Sequence, residues 1–80
     1  MNWREYIISD PSILIGKPII KGTRLSVDFI LDLLSNGWTE EQILKNYPGL
    51  NKNSLQSVFS FALECMREEK VYDIPTRSAV

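Results

Sequence analysis

Residues 38–66, WTEEQILKNYPGLNKNSLQSVFSFALECM, hold two helix starts separated by one proline-glycine break, and their spacing decides the fold. Thr39 stands at an N-cap position, Gln42 follows three residues later where it completes a capping box, and Trp38 precedes both within reach of Ile43. Glu40 and Glu41 occupy the first turn, where the helix dipole favours negative charge, so their role is structural. Ile43, Leu44 and Tyr47 share the buried face of this short helix, and Pro48-Gly49 ends it. Asn51 then caps a longer helix running to Lys70, in which Leu55, Val58, Phe59, Ala62, Leu63 and Met66 recur at spacings of three and four. Its far side carries Asn53, Gln56, Ser57 and Ser60, with Phe61 and Cys65 as a lesser apolar flank.

Upstream of this pair, Ser26 precedes Val27, Ile30, Leu31 and Leu34, a helical stripe with a good N-cap. Asn36-Gly37 closes it, glycine being suited to the left-handed residue past a helix end. The first helix is therefore Val27 to Asn36. Phe29 and Leu33 make its opposite side apolar as well, so either the N-terminal segment or a second subunit must cover it. Trp3 to Ile8 is aromatic and β-branched and predicts a strand that Ser9-Asp10-Pro11 breaks. Ile13 to Ile15 and Pro18 to Ile20, punctuated by Gly16 and Gly22, suit a small hairpin or extended arm, with the proline on an edge strand. Val71 to Val80 predicts an extended or disordered tail. The chain thus divides into an arm over 1–25, a helical core over 26–70 and a tail over 71–80.

Eighty residues make one domain with a marginal core, which a partner subunit would help to stabilise. No stretch is long and apolar enough to span a bilayer, no signal peptide is expected, and the lone Cys65 fits a reducing cytoplasm. Histidine is absent, which removes the usual base near neutral pH and a usual metal ligand; no enzyme activity, metal or cofactor is expected. The net charge of −1 hides an asymmetry. Arg4, Lys17, Lys21 and Arg24 against Glu5 and Asp10 leave residues 1–25 at +2 and the rest at −3.

Two helices joined by a short turn form a helix-turn-helix candidate, in which the second would enter a DNA major groove by its N-terminal polar residues. Asn53 or Gln56 suits an adenine edge, Ser57 and Ser60 suit bases or phosphates, and Lys52 suits a phosphate. Small three-helix domains also pack this way without touching DNA. The Pro48 turn is about one residue longer than the tightest form of the motif, and Glu64 continues the polar face with the wrong charge. GKPIIKGTR, residues 16–24, lacks the glycine-lysine-hydroxyl order of a nucleotide-binding loop. Its cations Lys17, Lys21 and Arg24 either contact DNA phosphates from a flexible arm or, for Arg24 with Thr23, pin that arm to the core. Asp28 and Asp32 share one helix face without a third ligand, and they and the Glu64-Glu68 pair, with Arg67 and Lys70 beside it, read as solvated surface. Cys65 reads as a small buried hydrophobe.

Taken together, DPSILIGKPIIKGTRLSVDFILDLL, GWTEEQILKNYPGL and the helix after them resemble the prokaryotic family called domain of unknown function 433, over roughly Ile7 to Glu64. Gly16-Lys17-Pro18, Gly22-Thr23-Arg24 with Val27, and Tyr47-Pro48-x-Leu50 carry the resemblance. It implies a mainly α, homeodomain-like helix-turn-helix core of three helices behind a short N-terminal β-arm or hairpin, often dimeric. It also implies an antitoxin-like protein encoded beside a PIN-like nuclease toxin, with operator DNA as a second ligand. The expectation is a cytoplasmic, homodimeric, DNA-binding antitoxin or autoregulator. Lys17, Lys21, Arg24, Lys52, Asn53, Gln56, Ser57 and Ser60 would face DNA, and Phe29, Leu33, Phe61 and Cys65 a second copy or partner. The tail would bind the toxin. The alternative is an interaction and dimerisation module that never binds DNA.

Overall fold

The computed structural model describes residues 1–68; the expected tail and the end of the last helix at Lys70 lie outside the described residues. A 3₁₀ turn, Trp3–Glu5, leads into strand β1, Ile7–Ser9. A second such turn, Leu14–Gly16, leads into β2, Pro18–Ile20. Helices α1, Val27–Ser35, α2, Glu40–Asn46, and α3, Lys52–Glu68, follow. The protein is mainly helical, with one small antiparallel hairpin in which Ile7 faces Ile20, Ile8 faces Ile19 and Ser9 faces Pro18.

The strand expected over Trp3 to Ile8 is confined to its end. The Asn2 side chain accepts from the Arg4 backbone N–H, a local bond that competes with extended pairing and winds Trp3–Glu5 into a turn. Ile13 to Ile15 is not extended either, because Leu14 and Ile15 adopt left-handed φ of 51° and 56°. The hairpin is also no loose arm. Ile7 and Ile20 belong to the same buried cluster as Val27, Ile30, Ile43, Leu50, Leu55 and Val58. The Lys21 N–H donates to the Tyr6 carbonyl at 2.8 Å, and the Ile20 N–H to Leu25 at 2.9 Å, tying the strands into the approach to α1.

All three helix starts are capped. Ser26 Oγ accepts from the Phe29 N–H at 3.2 Å. Thr39 and Gln42 form the capping box, with the Gln42 N–H donating to Thr39 Oγ1 at 3.1 Å and the Thr39 N–H to Gln42 Oε1 at 2.8 Å. Asn51 Oδ1 accepts from the Ser54 N–H at 2.8 Å. Each cap contributes about 1 kcal/mol. Gly37, at φ +91°, takes the left-handed residue that lets the chain leave α1.

The two-faced α1 receives part of its second cover. Leu31, Leu33 and Leu34 are half-buried against the core, while Phe29 stays more open and meets Tyr47 edge-on at 5.7 Å. The long stripe on α3 is buried only near its start: Leu55 and Val58 are sealed, but Phe59, Leu63 and Met66 are 40%, 48% and 78% exposed. The difference is one of face: Val58 and Phe59 are adjacent and point about 100° apart, and on the later turns it is Phe61 and Glu64, on another side of the helix, that the Trp3 segment covers.

Candidate nucleic-acid interface

Lys52, Asn53 and Gln56 lie on the outer face of the first turns of α3, and all three are exposed. The turn before them is closely approached by the loop after β2. A Cβ on Gly49 would sit 3.3 Å from the Thr23 methyl, so Gly49 permits a close approach that most side chains would crowd. Thr23 is fixed in turn: its Oγ1 donates to the Ile20 carbonyl at 2.8 Å and accepts from the Leu25 N–H at 3.0 Å. The exposed cations Lys21 and Arg24 flank Thr23 closely in sequence, and are therefore carried on a fixed loop beside the helix turn. The pinning expected of Thr23 and Arg24 falls to Thr23, while the Arg24 side chain borders a groove next to α1.

Lys17 turns elsewhere. Its Nζ pairs with Asp28 of α1 at 3.1 Å, both side chains being well solvated. The Ser26 hydroxyl beside Asp28, and then the Lys17 ammonium, hold the Asp28 carboxyl below the usual carboxylate range. Asp28 and Asp32 are both exposed, and among the described residues no group of three or more His, Cys, Asp or Glu side chains is placed to hold a metal ion.

Of the two serines expected on the DNA-facing side, Ser57 does not lie there. Ser57 is fully buried, its Oγ donating to the Ser54 carbonyl one turn back at 2.6 Å. Adjacent helix positions point about 100° apart, so Ser57 turns inward where Gln56 turns outward. A hydroxyl that returns its proton to its own helix can be buried at little cost. Ser60 is half-buried beside the N-terminal segment, its Oγ lying 3.4 Å from the Met1 carbonyl oxygen.

The chain belongs to a family on the following observation: the family model described as Protein of unknown function (DUF433) matches residues 7–62. This chain is a DUF433 protein. It is also 31% identical over 80 residues to a protein of Sinorhizobium fredii (strain NBRC 101917 / NGR234) described as Uncharacterized protein y4eO. That alignment takes in 96% of this chain but 36% of the relative, so the chain spans about a third of the relative's length. No solved structure matches.

The DUF433 match takes in the hairpin, the Lys21–Arg24 loop and the open start of α3, and leaves Trp3, Arg4 and Glu64 outside it. Those three form a clamp that the sequence reading missed. Trp3 Nε1 donates to Glu64 Oε2 at 3.1 Å, Arg4 Nη2 reaches the same oxygen at 3.2 Å, and the Arg4 guanidinium lies 4.3 Å from the Trp3 ring centroid. Glu64 was expected to find surface partners on its own helix in Arg67 and Lys70. Instead it closes a contact across some 60 residues, which no local spacing can signal.

The same clamp alters the expected partner face. Phe61 meets the Trp3 ring edge-on at 4.8 Å, so Phe61 itself is partly covered from within the chain. Leu33 is half-buried against the core, whereas Phe29 is more open. Cys65 is exposed rather than buried. No helix among the described residues is long and apolar enough to cross a membrane.

Proposed function

We propose that this DUF433 protein is a cytoplasmic, homodimeric DNA-binding antitoxin and autoregulator whose partner is a PIN-like nuclease toxin. In this reading α2 and α3 act as a homeodomain-like helix-turn-helix. The start of α3 enters a major groove, where Gln56 and Asn53 offer amides to an adenine edge and Lys52 meets a phosphate. Lys21, on the loop packed against the turn, supplies a second phosphate contact, and Arg24 lies near it in sequence. The observation that supports the reading best is the open Lys52-Asn53-Gln56 face beside a turn held by Thr23 and Gly49. Ser57, being buried, has no part in it, and Lys17 is engaged with Asp28.

The reading is tested by an electrophoretic mobility shift of the full chain on its own promoter DNA at two salt concentrations. Binding that weakens steeply with salt is expected, since phosphate contacts release counterions. Absence of any shift would favour the second reading, an interaction and dimerisation module without DNA binding. The exposed Phe59, Leu63 and Met66 favour that alternative, because an apolar stripe of this kind suits a protein partner. For the toxin, co-expression with the neighbouring nuclease should yield a complex and relieve growth arrest. A nuclease that stays active and unbound would remove the antitoxin role while leaving the regulator.

A further inference from the structure

An open groove of about 920 Å³ runs beside the start of α1, lined among others by Leu14, Ile15, Lys17, Arg24, Phe29 and Asp32. At one edge stands Ile15, 98% exposed, on a backbone that is left-handed at three successive residues: φ is 51° at Leu14, 56° at Ile15 and 77° at Gly16. A β-branched residue in that region is strained, and a side chain so exposed gains almost no contact within its own chain in return. The turn is nonetheless held in place. Ser9 Oγ donates to the Gly16 carbonyl at 2.6 Å, and the Lys17 N–H donates to Leu14 at 3.2 Å. The result is a fixed apolar projection next to an apolar hollow floored by Leu25 and Phe29.

Charge tells what fits. Lys17 and Asp28 pair with each other, whereas Arg24 and Asp32, also on the groove, take part in neither of the two ion pairs among the described residues. We propose that the groove is the interface between two copies of this chain related by a two-fold axis. Each copy places its Ile15 in the other's hollow and sets its Arg24 against the Asp32 of the second copy. A two-fold contact requires one patch to hold both halves of every interaction. This patch does so twice over, with projection and hollow, and with cation and carboxylate. A partner of one charge sign would leave either Arg24 or Asp32 unmatched. The inference rests on the homodimer in the proposed function and adds its surface; measured without DNA, it stands or falls separately from DNA binding.

The test is the mass of the full chain by sedimentation equilibrium, with each variant's unfolding followed by circular dichroism at one low concentration. The unsubstituted chain should have twice its monomer mass of 9.2 kDa. Ile15→Asn should have the monomer mass without a lowered unfolding midpoint, because asparagine tolerates the left-handed turn. Arg24→Glu and Asp32→Arg should each weaken association by about tenfold or more, and the two combined should restore it. A monomeric unsubstituted chain, an Ile15→Asn variant that still dimerises, or a charge exchange that fails to rescue would each overturn the proposal. So would dissociation by Leu63→Asp on α3 with Ile15→Asn unaffected. Mobility shifts of the unsubstituted chain and of Lys52→Ala, which leaves the groove untouched, report the DNA reading separately.

Discussion

The two halves of α3 obey one periodicity and meet different surroundings. In the first half Leu55 and Val58 are sealed in the core, Ser54 and Ser57 are buried beside them, and Lys52, Asn53 and Gln56 point to solvent. From Phe59 onward, Phe59, Leu63 and Met66 continue the apolar spacing but stand exposed, while Phe61 and Glu64 are engaged by Trp3 and Arg4 from the chain's beginning. Helical spacing tells which side chains share a face. Which face is covered depends on what packs against it, and for Phe61 and Glu64 that is the distant N-terminal turn.

The strongest way to break this contrast is a pair of truncations. Leu55→Ala should cost about 2–5 kcal/mol, as deletions of sealed leucines do, and in a domain this small would populate the unfolded state. Leu63→Ala should stay within about 0.5 kcal/mol. Urea denaturation of both variants at the same low protein concentration decides it. Equal losses would mean that both halves are covered in solution.

Trp3→Ala sharpens the second half next. Trp3 is half-buried, and its loss removes the edge-on contact with Phe61 and the hydrogen bond to Glu64, for an expected cost of about 2 kcal/mol. A fall in Tm should accompany greater proteolytic access near the N-terminus. An unchanged Tm would mean that the clamp does not hold in solution.

Ser57→Ala and Gln56→Ala separate inward from outward on adjacent residues of the first half. Ser57→Ala loses a buried hydrogen bond and should cost about 1 kcal/mol of stability with DNA affinity unaltered. Gln56→Ala should leave stability within about 0.5 kcal/mol and weaken DNA binding by about 1–3 kcal/mol. The reverse pattern, stability lost at Gln56 and affinity at Ser57, would invert the assignment of the two faces.

The smallest expected effect is one of pH. With Asp28 held below its ordinary 3.8 by the Ser26 hydroxyl and Lys17, the folded form gives up that proton more readily than the unfolded form. Its contribution is therefore complete above 3.8 and lost as pH falls through the lowered folded value. Because the pair is solvated the contribution is slight. Lys17→Ala should flatten the acid side of the stability profile, and an unaltered slope would mean that the pair does not form.

Much of this fold was legible because its signals are local. Ser26, Thr39 with Gln42, and Asn51 each act within three residues, and Gly37 acts on its own backbone, so helix starts and stops could be read directly. The strand expected from Trp3 failed because Asn2 captures a nearby N–H, a choice that propensity alone does not weigh. On α3, Gln56 and Ser57 were grouped by chemistry although their side chains diverge, and only packing shows which one enters the core. The bond from Trp3 to Glu64 and the contact of Thr23 with the Gly49 turn join distant stretches, and nothing in either stretch names the other.

The central claim is that the first half of α3, by its outward face, binds DNA. Its most direct test is the equilibrium affinity of the full chain and of Lys52→Ala for promoter DNA, measured across a salt series. The account predicts a linear fall of log affinity with log salt, and a slope shallower by about one for Lys52→Ala. Affinity indifferent to salt, or a slope that Lys52→Ala leaves unmoved, would contradict it.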